Sequence, residues 1–130
     1  MKAHTEAVTI ETSPKKVFDF LERPENMPKW AVKFCQDIRR DGQKWIIQTP
    51  YGEMSVRYVT DAKTGVIDFY SSPAPGIESY AASRVISNGQ GTEYVFTFFQ
   101  TPDLSDEIFT GQVAALKHEF GVLKNLMEKS

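Results

Sequence analysis

Few side chains in this sequence have a type and spacing that could carry chemistry, and the most suggestive pair is Arg57 with Asp68. A cation beside a carboxylate can tune an acid or base, because proton transfer needs a positioned group whose pKa suits the task. If Thr60 faces Gly65 across a hairpin, Arg57 meets Asp68, but on the sheet face turned away from the long C-terminal helix. A surface cross-strand ion pair is the expectation there. His118 lies off the apolar seam of its helix, where solvent exposure is expected, and His4 stands near the chain start without a visible partner. No group of His, Cys or carboxylates has metal-ligand spacing, so neither a metal nor another cofactor is expected. The run Asn88-Gly89-Gln90-Gly91 has glycines but lacks the lysine and helix start of a phosphate loop, and reads as a hairpin loop. Cys35, the only cysteine, cannot form an internal disulfide; it reads as a strand residue in a reducing compartment.

Composition narrows the function classes further. At 130 residues, with 41% hydrophobic and 25% charged side chains, the chain fits one domain spanning 1–130. Its 15 basic and 17 acidic residues are spread without blocks and leave a net charge of −2, which gives no electrostatic reason to expect nucleic acid or an anionic membrane as partner. The stretch from Met1 to Ser13 carries Glu6 and Glu11 and no apolar run, so it does not read as a signal peptide or anchor. No segment approaches the roughly 18 consecutive apolar residues of a membrane span, and a cytoplasmic location is the default expectation.

The elements that must position any site follow from periodicity. Phe109, Val113, Leu116, Phe120, Leu123 and Met127 recur at alternating steps of four and three, the seam of one long amphipathic helix that closes the chain. It should open near Asp103 or Ser105 and run to about Glu128, with Asp106 and Glu107 in its first turn and Lys124 and Lys129 near its end, charges that suit the helix dipole. At the other end, Thr5 to Glu11 alternates as a first strand, with Val8 and Ile10 on one side. Ser13-Pro14 then reads as an N-cap followed by proline at the first helical position. Val17, Phe18, Phe20 and Leu21 supply the buried side of that short helix, and Pro24 and Pro28 set off a second short turn ending near Trp30. Between Lys33 and Gln100, turn signals at Asp41-Gly42, Pro50-Tyr51-Gly52, Lys63-Thr64-Gly65, Pro73-Ala74-Pro75-Gly76 and Asn88-Gly89 separate six strands of an antiparallel meander.

Hairpin geometry assigns the two faces, because residues opposed across an antiparallel pair share a face. The pairings Ile38 with Trp45, Thr49 with Met54, Tyr58 with Ile67 and Ser87 with Thr92 give an inner face of Phe34, Gln36, Ile38, Trp45, Ile47, Met54, Val56, Tyr58, Ile67, Phe69, Ser79, Ala81, Ser83, Val85, Tyr94, Phe96 and Phe98. Apart from the turn-flanking Arg40, this face holds no charged group and no histidine. Gln36, Tyr58, Ser79, Ser83 and Tyr94 are its scattered polar members. Val95, Thr97, Phe99, Tyr80 and Ile86 fall on the outer face, where contiguous exposure would suggest a homodimer surface.

The run from Ile10 through Glu11-Thr12-Ser13-Pro14-Lys15-Lys16-Val17-Phe18-Asp19-Phe20 to Leu21, continued by Arg23-Pro24-Glu25-Asn26-Met27-Pro28-Lys29-Trp30, resembles the opening of START-like (SRPBCC) proteins. That superfamily includes polyketide cyclase-like proteins and the major birch-pollen allergen. In it a strand leads into a Ser-Pro helix start, a Val-Phe or Val-Trp pair, and a Trp after a second short helix. The resemblance implies an α+β helix-grip fold: a curved seven-stranded antiparallel sheet around a long C-terminal helix, two short helices after the first strand, and a cavity between sheet and long helix. Members differ in activity and share no catalytic set, so no catalytic residue is carried over.

Together these readings make a small apolar or aromatic molecule the expected partner. Trp45, Tyr58, Phe69, Ser83, Tyr94, Phe96 and Phe98 from the sheet, with Val113, Leu116 and Phe120 from the helix, are its expected contacts, and Tyr58, Tyr94 and Ser83 would orient it. A polyketide cyclase or dehydratase, with Tyr58 or Tyr94 polarising a carbonyl, is the enzymatic alternative; it needs perturbed acid-base groups that the inner face lacks. An interaction module acting through the outer patch is the other.

Overall fold

In the computed structural model, which describes residues 1–129, strand β1 (Ala3–Ile10) runs into Ser13, whose Oγ accepts the Lys16 N–H at 3.3 Å. Helix α1 (Pro14–Leu21) opens there, because Pro14 needs no hydrogen bond in the first turn and has its φ already set. A 3-10 turn (Pro24–Asn26), begun by Pro24, and the short helix α2 (Met27–Trp30), with Pro28 in its first turn, follow. The meander then runs through β2 (Asp37–Asp41), β3 (Lys44–Thr49), β4 (Gly52–Asp61), β5 (Val66–Ala74), β6 (Ile77–Asn88) and β7 (Gly91–Phe99). Strand β1 pairs antiparallel with β7, giving one curved seven-stranded sheet ordered β1-β7-β6-β5-β4-β3-β2. Helix α3 (Asp106–Lys129) is capped by Ser105, whose Oγ accepts the Ile108 N–H at 3.1 Å, and it crosses the concave face. This is the helix-grip α+β fold.

The faces hold more firmly than the registers. Ile38 lies opposite Ile47 rather than Trp45, Ile47 opposite Met54, and Tyr58 opposite Phe69 rather than Ile67. In each case the strand pairing is displaced by two residues, which changes the partner but leaves every side chain on its face. The β6–β7 register is as expected, with Ser87 opposite Thr92 and Val85 opposite Tyr94. A register shift between Ser71 and Ala74 shortens the β5–β6 connection to Pro75-Gly76 and keeps Ser79, Ala81 and Ser83 inward.

The displaced β4–β5 register separates the pair that looked most like chemistry. Arg57 lies opposite Tyr70, with its guanidinium 4.0 Å from that ring and 3.5 Å from the Glu78 carboxylate, while Asp68 accepts the Tyr80 hydroxyl at 3.2 Å. Both stay on the outer face. Two other assignments change. The sixth strand from the end begins at Asp37, so Phe34, Cys35 and Gln36 belong to the turn after α2, and Gln36 is exposed. Cys35 is buried within that turn and its thiol, pushed up to about 12 chiefly by burial, is not poised to react. His4, which showed no partner, sits 2.7 Å from Glu6 and edge-on to Phe98.

The core lies between the concave face and the second half of α3. Leu116, Phe120, Leu123 and Met127 pack against Ile10, Ile47, Ile67, Val85 and Tyr94, all buried. Each such side chain is worth about 1.5–3 kcal/mol when taken out of water, so this half of the helix is firmly held. Among the described residues no helix is long and apolar enough to cross a membrane.

Candidate functional site

Toward the first half of α3 the packing opens into a hollow of about 300 Å³. The cause is visible in the helix sequence. The residues facing this space are Gly111, Gln112, Ala115, Leu116 and Glu119, a stripe that departs from the apolar seam and carries two of the smallest side chains. They leave volume that Phe120 and Leu123 fill one to three turns further on. The sheet contributes Met54 and Val56 from β4, Phe69 and Ser71 from β5, Ala81 from β6, and Phe96 and Phe98 from β7. Trp30, Ala31 and Phe34 close one side after α2. Tyr51, in the β3–β4 turn and 54% exposed, and Thr101 to Leu104 before α3 stand at the mouth.

Of the ten side chains expected to touch a guest, Phe69, Phe96, Phe98 and Leu116 line this hollow. Phe69 and Phe96 have ring centres 5.7 Å apart and Phe96 and Phe98 6.3 Å, a continuous aromatic wall. The other six lie elsewhere, for identifiable reasons. Ser83 spends its hydroxyl on the Ile67 carbonyl at 2.6 Å. Tyr94 is wholly buried against Phe120 and Trp30. Tyr58 packs edge-on to Phe69, at 4.7 Å between ring centres. Trp45 lies under the Arg40 guanidinium at 5.5 Å. Val113 is half-buried on the seam, and Phe120 is core.

The wall is not free of charge, because the expectation counted only strands. Glu119 on α3 is 3% exposed, and its Oε2 accepts the backbone N–H groups of Lys33 at 3.0 Å and Phe34 at 2.9 Å. Those two amides sit in the turn after α2, where no ladder satisfies them, so the carboxylate ties that turn to the helix. Burial raises the Glu119 pKa, and the two amides and the Lys33 charge offset part of that rise. Lys33 and Asp103, the other charged residues on the lining, are exposed at the mouth. A single apolar-aliphatic period signal gives no hint of such a residue; a carboxylate breaking into the inward side of an amphipathic helix was the sign available.

Further from the hollow, β1 also brings polar groups to the concave face. Glu6, between His4 and Lys117 at 3.4 Å, has its pKa lowered overall: burial alone would raise it, and the His4 and Lys117 contacts outweigh that. The Tyr94 hydroxyl is buried without a hydrogen-bond partner among the described residues. Its pKa is raised by burial, tempered by the nearby Ser83, which falls short of hydrogen-bond geometry. Among the described residues there is no group of three or more His, Cys, Asp or Glu that could hold a metal ion.

On the convex face the five apolar residues do not form one bare patch. Tyr80 and Ile86 are exposed, whereas Val95, Thr97 and Phe99 are half-buried. Tyr80 stacks between Tyr70 at 5.1 Å and Phe99 at 6.5 Å, and Thr97 meets Thr5 at 2.8 Å between hydroxyl oxygens.

The same architecture recurs in solved structures, all of low identity. A protein from Bacillus thuringiensis is 15% identical with a TM-score of 0.77, over 97% of this chain and 98% of that one. Aha1 from Colwellia psychrerythraea, solved as a dimer, is 16% identical with a TM-score of 0.73, over 98% and 97%. Ara h 8.0201 is 16% identical with a TM-score of 0.66, over 99% of both chains. No family model matches the sequence, and no curated protein does. These likenesses show that the chain shares the helix-grip fold of those structures.

Proposed function

We propose that this protein binds one small, mainly apolar molecule in the hollow between its sheet and the first half of α3. The observation that carries the reading is that the hollow is walled by Met54, Phe69, Phe96, Phe98 and Leu116, while the packing beside it is tight. A well-packed domain does not leave that much apolar space without cause, since lining atoms forfeit contacts and the void costs stability. At about 300 Å³ it is roughly twice the ~150 Å³ apolar cavity that admits benzene, which suits a guest of about two fused rings. Such a guest, burying about 200 Å² as an aromatic side chain does, gains about 5 kcal/mol at ~25 cal/mol per Å². That corresponds to a dissociation constant on the order of 10⁻⁴ M, before polar contacts and ordering costs are counted.

The binding reading is favoured over turnover because Arg84 and Asp68, which could have served as acid-base groups, face outward, and the one buried carboxylate on the wall, Glu119, is tied by the Lys33 and Phe34 amides with no buried acid-base partner beside it. Arg84 donates to the Thr64 carbonyl at 2.9 Å, and Asp68 accepts from Tyr80. Titration with N-phenyl-1-naphthylamine, a neutral probe that brightens in apolar surroundings, tests the proposal. Saturable one-to-one enhancement in the native protein supports it. A folded protein that leaves the probe dark at millimolar concentration refutes it.

A further inference from the structure

One polar group on the inner wall is unlike the rest. Glu119 is buried, yet only its Oε2 is engaged, by the amides of Lys33 and Phe34; its Oε1 makes no hydrogen bond to any described residue. The facing sheet turns mainly hydrocarbon and rings toward the hollow, from Met54, Phe69, Phe96 and Phe98, with Ser71 and Ser79 as its hydroxyls. That oxygen is not fully enclosed, so a guest in the hollow can reach it, and a guest that brings a donor gains a hydrogen bond that a purely apolar one does not.

We infer that the guest of this hollow is an amphipathic molecule with a hydrogen-bond donor, a hydroxyl or phenol, directed at Glu119 Oε1 while its apolar body lies on the Phe69–Phe96–Phe98 wall. This rests on the binding reading above and narrows it. The carboxylate discriminates in both directions. A donor-bearing guest gains a hydrogen bond to a charged acceptor in a site of low polarity, whereas an anionic guest meets repulsion and has no proton to give. The rise in the Glu119 pKa by burial agrees with an oxygen short of donors. A neutral donor fits better than an ammonium, because the Lys33 charge already acts on this carboxylate. The position is also rigid: the two amide hydrogen bonds hold the carboxylate, so a guest's donor need not order it.

Ligand-observed NMR titrations at pH 8 with naphthalene, 2-naphthol and 2-naphthoate test this. The expected result is that 2-naphthol binds about tenfold tighter than naphthalene, the fold-change that a hydrogen bond to a charged group supplies, and that 2-naphthoate binds no better than naphthalene. In Glu119→Gln the side-chain carbonyl must keep the Lys33 and Phe34 amides, which turns the NH₂ into the hollow. The 2-naphthol advantage should then fall below threefold and 2-naphthoate should gain. The comparison on the native protein stands even if the variant does not fold. Equal binding of naphthalene and 2-naphthol, or tightest binding of 2-naphthoate, overturns the inference and leaves the apolar hollow intact. Binding of none of the three overturns both.

Discussion

Replacing Ala115 with phenylalanine closes the hollow from the helix side and separates the two demands on this fold. Ala115 faces the open space across from the aromatic wall, so a larger side chain there points into room that already exists. Fully burying a phenylalanine side chain is worth about 1.5–3 kcal/mol. Imperfect rotamers against Phe96 and Leu116 take back roughly 1 kcal/mol, at the low end of overpacking costs. Ala115→Phe should therefore be stabilising by about 0.5–2 kcal/mol, or roughly 2–7 °C in Tm for a domain of this size. The same substitution removes the guest's space, and probe binding should weaken at least about tenfold, since displacing even 1.4 kcal/mol of contact is that much. Urea unfolding gives the first quantity and N-phenyl-1-naphthylamine titration the second. A variant less stable than the parent, or one that binds the probe as well as the parent does, would mean that the space is not the guest's.

Three further outcomes follow from particular contacts. Gly65 has φ +78°, and a Cβ there would land on the Val85 carbonyl oxygen, which is part of the strand ladder and also near the Val85 N–H bond to Gly65; Gly65→Ala should cost more than about 2 kcal/mol, combining the left-handed penalty with a backbone shift, as measured by chemical denaturation. Tyr94→Phe removes a buried hydroxyl that no described residue satisfies, so stability should hold or rise by up to about 1 kcal/mol; a loss above that amount would reveal a partner for the hydroxyl. Glu119 has its pKa raised above the ordinary 4.5, chiefly by burial. Between that value and the raised one, the folded protein holds a proton the unfolded chain has released, and the group's contribution to stability falls as pH rises. Wild-type Tm should accordingly drop relative to Glu119→Gln on raising the pH from 4.5 through this window. The opposite slope would indicate a carboxylate stabilised in its charged form.

Much of the fold was legible because its signals are local and redundant. Ser13-Pro14, Ser105 with Asp106 and Glu107, and the seam from Phe109 to Met127 each combine a cap or period with a charge pattern, and each falls where the structure has it. Face assignment survived three displaced registers because the pairing moved by two residues, whereas partner assignment did not: Arg57 and Asp68 were separated by that displacement. The site was less legible, for two reasons. Ligand contacts were sought among the largest inward residues, but the largest are those that fill space, as Tyr94 and Phe120 do. The hollow instead exists where Gly111, Ala115 and Ala81 are small. Charge was counted only along the meander between Lys33 and Gln100, so Glu119 on the helix and His4 and Glu6 on β1 were missed, although a carboxylate eight residues from Gly111 and four from Ala115 already pointed to the same helix side.

Side-chain NMR on the native protein tests the central claim most directly. With methyl and aromatic resonances assigned, addition of 2-naphthol should produce saturable shifts at Met54, Ala81, Ala115, Leu116 and Phe96, with Val85 and Leu123 unmoved in the tight core. Shifts confined to Tyr70 and Ile86 on the convex face, or no saturable shift at all, would contradict it.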